Sequence, residues 1–317
     1  MALTKDRFIR LPQGFDPAPN HSEEAAEFPY SRLIVPIAKK WMDWVQNLEV
    51  RIVSPDNIPA TGGAMIAVNH TGYWDFVYGG IPAHFNGRRL VRFMAKKEIF
   101  DVKGVGALMR AMKHIPVDRA DGQASVDEAI RRLRKGQLVG IFPEATISRS
   151  FEIKEFRQGA AKIAYDANVP LIPLTIWGSQ QVWTKGHKPI WRPKNAKLVM
   201  IVGEPVEVTA DATETTDRLH RAMVQQLEEN RRIYEREFGP MPKGEYWVPA
   251  SMGGTAPSLE EATIKDREDQ AKRKRKRAEA QVEEKRRREK EQQQLAAAPN
   301  WKKPIVKLQQ QMNRKKK

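Results

Sequence analysis

Residues 64–75 read Ala-Met-Ile-Ala-Val-Asn-His-Thr-Gly-Tyr-Trp-Asp. The first five are apolar without interruption, which predicts a strand buried on both faces of a sheet. Asn69 and His70 follow this run, and Gly72 allows the chain to turn directly afterwards. The pattern places an imidazole on a loop at the edge of the sheet, where the sites of α/β proteins usually form.

His70 and Asp75 are the pair in this stretch that indicates chemistry. Five positions on a regular helix correspond to about 140° of rotation, so the two side chains could not share a helix face. A turn at Gly72 instead lets Asp75, at the start of the next helix, reach back to the imidazole. A neutral imidazole can take the proton of a hydroxyl while the carboxylate fixes its tautomer. We therefore predict a general base; the alternative is a loop histidine with Asp75 as a helix cap.

Short apolar runs alternate with helical patterns on both sides of this stretch. Strands are predicted at Val50–Val53, Ala64–Val68, Leu90–Met94, His114–Val117, Leu138–Phe142, Val169–Leu174 and Leu198–Val202. Helices are predicted at Trp74–His84, Val105–Met112, Gln123–Lys135, Gly159–Asn168 and about Thr213–Phe238. This alternation predicts an α/β fold with a mostly parallel or mixed sheet flanked by helices.

Three further blocks follow or contain predicted strands. Arg119 ends the sequence Ile-Pro-Val-Asp-Arg, and its guanidinium suits bidentate phosphate binding, although a surface salt bridge is the simpler explanation when it is taken alone. Residues 142–148, Phe-Pro-Glu-Ala-Thr-Ile-Ser, combine a carboxylate and hydroxyls in a loop that either binds a phosphate or hydroxyl or is a plain turn. Residues 169–174 form an apolar run with two prolines, which also fits an ordinary strand.

The order and spacing of these four blocks resemble the glycerophospholipid acyltransferase superfamily, and within it the 1-acylglycerol-3-phosphate (lysophosphatidate) acyltransferases. That family carries NHxxxxD, a block ending in Asp-Arg, FPEGTRS and a Pro-containing apolar strand in this order. The match covers about residues 35–210. The resemblance implies a single acyltransferase domain. It also implies transfer of a fatty acyl group to the free hydroxyl of 1-acylglycerol-3-phosphate, giving phosphatidic acid in phospholipid biosynthesis.

The resemblance further implies roles for individual residues. His70 is the general base, and Asp75 is its orienting partner. The other candidates contact substrate: Arg119 as a phosphate ligand, Glu144, Ala145 and Thr146 in the acceptor-binding loop, Lys96 near the phosphate, and Pro173 in the strand on the acyl-donor side. For Lys96 the alternative is an exposed lysine without a role.

Two positions depart from the family's FPEGTRS pattern. Ala145 replaces its glycine, which is harmless only if this residue has a negative φ. Ile147 replaces its arginine and removes an expected phosphate ligand, for which Arg149 is the candidate substitute. The sequence therefore leaves open an acceptor other than lysophosphatidate: another lysophospholipid, glycerol-3-phosphate or a glycolipid.

The implied reaction needs no cofactor. The acceptor hydroxyl attacks the thioester of acyl-CoA or acyl-carrier protein directly, and no serine or cysteine is placed beside the base to form an acyl-enzyme. We also expect no metal site, since the chain has no HExxH motif and no second histidine near His70.

Composition bounds the class and location of the protein. The 317 residues are 40% hydrophobic and 8% aromatic, without cysteine, so disulfides and thiolate chemistry are excluded. No run approaches the roughly 18 apolar residues of a membrane span, and the N-terminus does not read as a secretory signal. An amphipathic helix is predicted at about 34–48, with two tryptophans and two lysines that suit either a lipid headgroup boundary or packing on the domain. We expect a cytoplasmic protein held peripherally at the inner face of the plasma membrane. The oligomeric state is not indicated.

Most of the net charge of +16 lies in the C-terminal part, because residues 265–317 contain 20 Lys/Arg and 8 Asp/Glu. We predict an irregular lead-in at 1–27, the acyltransferase domain at 28–239, a linker at 240–264, and a basic low-complexity tail at 265–317 that is disordered or a solvated helix. Such a tail suits an anionic phospholipid surface or remains simply solvated. Nucleic-acid binding is the alternative of another class, but the tail offers only Trp301 for stacking and no recognised reading domain.

Overall fold

The computed structural model describes residues 9–118, 122–189 and 195–297, together with Pro299 and Lys303. The chain divides into two compact units, Met1–Leu259 and Glu260–Lys317. The first unit contains the sheet and the residues of the candidate site, and the second contains most of one long helix.

The described residues of the first unit form eight strands and the first nine helices. The strands are β1 (Ile9–Arg10), β2 (Glu49–Val53), β3 (Ala64–Val68), β4 (Val91–Lys96), β5 (Ile115–Val117), β6 (Leu138–Ile141), β7 (Leu171–Trp177) and β8 (Lys197–Val202). The helices are α1 (Ser22–Ala26), α2 (Val35–Trp41), α3 (Asp75–Tyr78), α4 (Ile81–Phe85), α5 (Lys97–Phe100), α6 (Val105–Ala111), α7 (Gly122–Arg134), α8 (Gly159–Ala167) and α9 (Ala212–Phe238). Short π-helical turns at Tyr30–Ile34 and Met42–Gln46 extend α2 at both ends, and 3₁₀ turns lie at Pro55–Asn57, Ser179–Gln181 and Ala250–Met252.

The strands form one mixed sheet in the order β1-β2-β8-β7-β3-β6-β4-β5. Strands β7, β3, β6, β4 and β5 run parallel to one another, whereas β8 is antiparallel to β7 and parallel to β2 and β1. The sheet predicted from the alternating pattern is therefore confirmed as mixed. Because the five parallel strands share a direction, their carboxyl ends meet at one edge, and the loops that follow them can converge.

The core lies on both faces of this sheet, which explains why residues 64–68 are apolar throughout. Met65 and Ala67 belong to a cluster with the inner sides of α7, α8 and α9. Ala64, Ile66 and Val68 belong to a second cluster with residues of α3 and α4 on the opposite face. Side chains alternate across a strand, so a central strand covered on both sides needs an apolar residue at each position.

The predicted helix Trp74–His84 is wrong as a single element, because two short helices, α3 and α4, take its place. Gly79 follows α3, Gly80 is the N-cap of α4, and Pro82 stands in its first turn. Pro82 has no N–H to continue a helix begun earlier, and it is well placed in the first turn of a new one.

The prediction that residues 1–27 are irregular is also corrected. Ile9–Arg10 pair with β2, and α1 is held by buried ion pairs. Glu24 pairs with Arg89 and Glu27 pairs with Arg92, and both arginines are fully buried. Hydrophobic periodicity could not reveal an element that is anchored by charge. The helical segment predicted at 34–48 occupies residues 30–46.

The predicted linker at 240–264 is in part wrong, since several of its apolar residues belong to the core. Met241, Val248 and Ala256 are buried in the cluster that contains Met65. The Gly and Pro residues that suggested a linker instead make turns between these contacts; Gly254 N–H, for example, donates to Pro249 O. The compact first unit accordingly extends to Leu259.

The second unit is dominated by α10 (Leu259–Ala297), whose side chains are mostly exposed. Ion pairs one turn apart, Arg275 with Glu279 and Arg287 with Glu291, lie along its surface. Each such pair contributes only about 0.3–0.5 kcal/mol. In the described ranges, no helix has both the length and the hydrophobicity that crossing a membrane requires.

Candidate active site

The turn after β3 begins with a residue that fixes the strand end to its neighbour. Asn69 is fully buried, its Nδ2 donates to Ile176 O at 3.0 Å, and its Oδ1 accepts from Ile176 N–H at 2.7 Å. These two bonds join β3 to β7 at the carboxyl edge of the sheet. The backbone immediately before His70 is therefore held by a buried, fully paired amide.

His70 and Asp75 are brought together, as the sequence predicted. His70 Nδ1 lies 3.0 Å from Asp75 Oδ2, and the same oxygen accepts from Thr71 N–H at 2.7 Å and Gly72 N–H at 2.8 Å. Asp75 is the first residue of α3, yet its carboxylate turns back to residues 70–72, and α3 has no side-chain cap. The helix-cap alternative is thus incorrect.

The second oxygen of Asp75 is held by Ser179, a residue that the sequence analysis did not select. Ser179 Oγ donates to Asp75 Oδ1 and also lies 2.8 Å from Thr71 Oγ1. Ser179 comes two residues after the carboxyl end of β7, as His70 comes two residues after the end of β3. Attention to every strand end would have found it. The intervening Gly178 has φ +104°, and a Cβ there would overlap the Lys197 carbonyl.

This arrangement determines the tautomer of His70. An ionised carboxylate only accepts hydrogen bonds, so the contact with Asp75 requires the proton on Nδ1. Nε2 then carries the lone pair. The imidazole is about one-fifth exposed, at 18%, while Asp75 is fully buried. A buried, saturated carboxylate behind a partly open imidazole is the geometry of a general base.

The loop after β6 wraps around His70. Its Glu144 Oε1 accepts from His70 N–H at 2.9 Å, and its Ser148 N–H donates to His70 O at 2.7 Å. The Phe142 ring stacks on the imidazole with centroids 4.1 Å apart and planes 19° from parallel. Both backbone polar groups of His70 and one ring face are therefore positioned by residues 142–148.

Glu144 is buried, and its side-chain oxygens accept hydrogen bonds from two backbone N–H groups. Burial raises the pKa of Glu144 to about 8, and the negative charge of Asp75 acts in the same direction, whereas Lys154 and two backbone N–H groups favour ionisation. Those N–H groups belong to His70 and Lys154. Near neutral pH the protonated form therefore predominates.

This raised pKa predicts a pH-dependent stability. The native state favours protonated Glu144, so the stabilisation is complete below the ordinary pKa and is lost as the pH rises through about 8. In Glu144→Gln, which keeps an oxygen for His70 N–H but does not titrate, this part of the pH dependence should disappear. Urea unfolding of both proteins at about pH 5 and about pH 9 measures it.

All other titratable groups are the same in the wild type and in Glu144→Gln, so the difference between their unfolding free energies isolates the contribution of Glu144. Exposed Glu155 provides the control, because Glu155→Gln should follow the wild-type pH dependence. A wild-type protein and a Glu144→Gln variant with parallel pH profiles would contradict a neutral, buried Glu144.

Ala145 has φ +59°, in the left-handed region, so the condition under which this substitution is harmless is not met. Its N–H donates to Phe142 O at 2.9 Å and closes a turn that begins at Phe142. A residue with a Cβ is strained there by about 1–2 kcal/mol. The glycine that the family carries at this position would not be strained in this conformation.

Ala145→Gly should therefore stabilise the protein by about 1 kcal/mol, because the relief of strain exceeds the added entropy of the unfolded chain. The matched control is Asn168→Gly at the end of α8, where φ is +54°. Asparagine tolerates this region, so its replacement should gain less. Urea denaturation measures both, and a loss of stability in Ala145→Gly would contradict strain at this position.

The remaining residues of this loop are placed as follows. Thr146 Oγ1 accepts from Lys154 Nζ at 2.6 Å, which puts a lysine beside the loop that the sequence did not indicate. Ile147 is buried at 6% exposure, so position 147 contributes packing. Arg149 is half-buried, and its guanidinium lies against Gly186, beside the segment that holds the turn after β3.

That segment follows β7 and covers residues 71–73. Thr184 Oγ1 donates to Thr71 O at 2.8 Å, and Tyr73 N–H donates to Trp183 O at 3.0 Å. The rings of Tyr73 and Trp183 lie 4.3 Å apart. Loops after β3, β6 and β7 thus form one connected structure around His70.

The other predicted residues lie elsewhere along the sheet or outside the described residues. Lys96 ends β4 in register with Val117 of β5, at the same carboxyl edge as the loops around His70. Pro173 lies inside β7 opposite Ala67, and its carbonyl accepts from Gly203 N–H at 2.8 Å. Arg119 lies outside the described residues.

An apolar groove begins beside the His70 turn. Its volume is about 450 Å³, and its lining includes Trp41, Trp74, Phe76, Val77, Leu108 and Met112. Trp74 immediately precedes Asp75, and its ring lies 4.6 Å from that of Trp41 in α2. The helical segment 30–46 provides one wall of this groove, and the other walls include residues of α3, α4 and α6 together with Ile9, Leu90 and Val91. A groove of this size and chemistry accommodates a hydrocarbon chain.

Known proteins are similar to the part of the chain that contains this site. Residues 49–177 match the family model described as Acyltransferase. The chain is 31% identical over 195 residues to the 1-acyl-sn-glycerol-3-phosphate acyltransferase of Bacillus subtilis, covering 59% of this chain and 88% of that protein. It is also 31% identical over 140 residues to a probable 1-acyl-sn-glycerol-3-phosphate acyltransferase of Mycoplasma pneumoniae, covering 43% of this chain and 52% of that protein.

The fold is likewise similar to a solved structure. The crystal structure of the 1-acyl-sn-glycerophosphate acyltransferase from Thermotoga maritima superposes with a TM-score of 0.51 at 24% identity, covering 62% of this chain and 77% of that one. At this level of sequence identity, the similarity supports the same fold and nothing beyond it.

Proposed function

The chain belongs to the glycerophospholipid acyltransferase superfamily, and from this premise we propose that it is a 1-acylglycerol-3-phosphate O-acyltransferase. It transfers a fatty acyl group from an acyl thioester to the free hydroxyl of the lysolipid and yields phosphatidic acid. The observation that carries the proposal is the contact of 3.0 Å between His70 Nδ1 and Asp75 Oδ2, which leaves Nε2 as the basic nitrogen.

In the proposed reaction His70 Nε2 takes the proton of the acceptor hydroxyl as its oxygen bonds to the thioester carbon. The tetrahedral intermediate then collapses, the C–S bond breaks, and the imidazolium returns the proton to the leaving thiolate. Buried Asp75 stabilises the imidazolium between these steps. The hydrogen bond from Ser179 and those from Thr71 and Gly72 hold the Asp75 carboxylate in its orientation toward His70.

We assign the acyl chain to the groove beside Trp74, since its lining is apolar and it begins one residue from Asp75. The acceptor phosphate requires cations, and Lys96, Arg119 and Arg149 are proposed for this role. Glu144, Ala145 and Thr146 are proposed to shape the acceptor side through the loop around His70, and Pro173 to line the donor side. The donor is acyl-CoA or acyl-carrier protein, without a further cofactor.

A peripheral location at a membrane surface, at the inner face of the plasma membrane, is part of the proposal. The helical segment 30–46 and the residues just before it support it. Phe28, Ile37 and Trp44 are exposed there by 71%, 58% and 87%. Tryptophan beside lysines is typical of elements that lie at the headgroup boundary.

A different acceptor is the second candidate: another lysophospholipid, glycerol-3-phosphate or a glycolipid. Buried Ile147 at the position of the family's arginine favours it. Purified protein supplied with radiolabelled oleoyl-CoA or oleoyl-carrier protein distinguishes the two. The acceptors are lysophosphatidate, lysophosphatidylcholine, glycerol-3-phosphate and a glycolipid. We expect phosphatidic acid as the main product. Predominant acylation of another acceptor would replace lysophosphatidate as the proposed substrate. The absence of product with every acceptor would contradict the proposal that the protein is an acyltransferase.

A further inference from the structure

The hairpin formed by α5 and α6 exposes an unusual number of apolar side chains. Ile99, Val102, Val105 and Leu108 are exposed by 37%, 52%, 46% and 44%. Single exposed apolar residues need no explanation, but four of them within ten positions form a patch of the kind that marks an interaction site. We call residues 97–111 the α5–α6 hairpin.

Hydrogen bonds and close packing on the inner side of the hairpin fix its conformation, and these four side chains remain on its outer side. Gly106 N–H donates to Val102 O at 2.7 Å, and a Cβ at position 106 would overlap the Phe100 carbonyl. Arg110 Nη1 donates to the same carbonyl at 2.7 Å. Phe100 and Met109 are buried beneath. The exposed residues are thus presented by a packed element with a fixed inner face.

The hairpin lies beside the groove assigned to the acyl chain. Leu108 is both exposed and part of the groove lining, and Ile34 and Ile37 line the groove from the helical segment 30–46. Ile34 also packs on the cluster that contains Phe100 and Met109. The hairpin and the helical segment are therefore adjacent, and both carry exposed apolar residues next to the same groove.

We propose that the α5–α6 hairpin is a membrane-docking element that inserts Val102 and Val105 into an anionic bilayer beside the helical segment 30–46. The groove would then open toward the acyl region of the membrane, so that lipid chains reach it without crossing water. Charge agrees with this partner, since the hairpin contains three basic and two acidic side chains and therefore carries a net positive charge. The inference rests on the proposed function, because a lipid substrate gives the docking its purpose.

The test measures binding of the full chain to sedimented vesicles of phosphatidylcholine and phosphatidylglycerol. At about 0.5 M NaCl the attraction between the basic tail and the vesicles is largely screened, whereas apolar insertion persists. We expect the wild type to bind under these conditions and Val102→Asp/Val105→Asp to bind about tenfold or more weakly, because two apolar insertions are lost and two negative charges are added. The matched control is Val224→Asp, which changes a valine exposed by 38% on α9 and should bind as the wild type does.

A second readout separates this inference from the proposed function. Acyl transfer to a water-soluble short-chain lysophosphatidate needs no membrane, so the double variant should retain wild-type turnover on it. If the wild type does not turn over this acceptor, the proposed function fails whatever the vesicles show. A double variant that binds vesicles as well as the wild type, or a wild type that does not bind them at high salt, would overturn the docking role while transfer to the soluble acceptor continues.

Discussion

Replacement of His70 by alanine is expected to lower kcat by about 10²–10⁴-fold, the contribution of a positioned general base. Nε2 of His70 is the nitrogen that can take the hydroxyl proton, and no step of the proposed mechanism proceeds efficiently without it. Since the imidazole is partly exposed, its removal should leave the fold intact. Initial rates with lysophosphatidate and oleoyl-CoA measure the effect, and circular dichroism checks the fold.

The matched control for this variant is His220→Ala. His220 lies on α9 and packs against Phe156, so its replacement removes an imidazole outside the Asp75 cluster. It should retain nearly full activity. Wild-type turnover by His70→Ala, with normal circular dichroism, would exclude the base mechanism.

Replacement of Arg89 by alanine is expected to lower the free energy of unfolding by about 3–5 kcal/mol, the cost of leaving a buried charge without its partner. Arg89 is fully buried, and its Nε lies 3.0 Å from Glu24 Oε2. Its other nitrogens donate to the carbonyls of Pro59, Gly62 and Gly136. One side chain thereby connects α1 to the loop before β3 and to the turn between α7 and β6, and all of these acceptors lose their donor together.

An exposed ion pair provides the comparison for Arg89. Arg131 on α7 pairs with Glu128, but its side chain is 53% exposed, so Arg131→Ala should cost less than about 1 kcal/mol. Urea unfolding compares the two variants. Equal, small losses would mean that Arg89 does not hold the N-terminal segment to the sheet.

The elements that the sequence predicted well are those with a strong hydrophobic pattern. Residues 64–68 are bounded as predicted because a strand buried on both faces must be apolar at every position. The long amphipathic α9 was found within one residue at its start, since Leu219, Met223 and Leu227 recur every fourth position and are buried. The spacing of apolar residues in a sequence indicates which side chains are buried, and these two elements are held in place mainly by buried apolar side chains.

Elements held by other forces were missed. The α1 helix is anchored through Glu24 and Glu27, whose charges resemble those of a solvated segment until their buried arginine partners are known. Residues 240–258 contain turn-forming Gly and Pro, which hide the buried positions of Met241 and Val248. Both errors arise because the deciding partner is distant in sequence.

The site shows the same division. The contact between His70 and Asp75 is local, so a turn at Gly72 was enough to predict it. Ser179 reaches Asp75 across more than one hundred positions, through the pairing of β7 with β3. Its position after a strand end makes it a candidate, but no local pattern indicates its contact with Asp75. The left-handed conformation of Ala145 was not predicted either, because an alanine gives no signal for positive φ.

The two bonds from the loop after β6 to His70 also constrain how this protein can change its length. Glu144 accepts a hydrogen bond from the N–H of His70, and Ser148 N–H donates to the carbonyl of His70. The loop from Glu144 to Ser148 is therefore bonded at both ends to one residue of the neighbouring turn. An insertion or deletion between positions 144 and 148 would have to break one of these bonds and shift the imidazole. We therefore expect homologous chains to differ in length at other loops and to keep the same number of residues between positions 144 and 148.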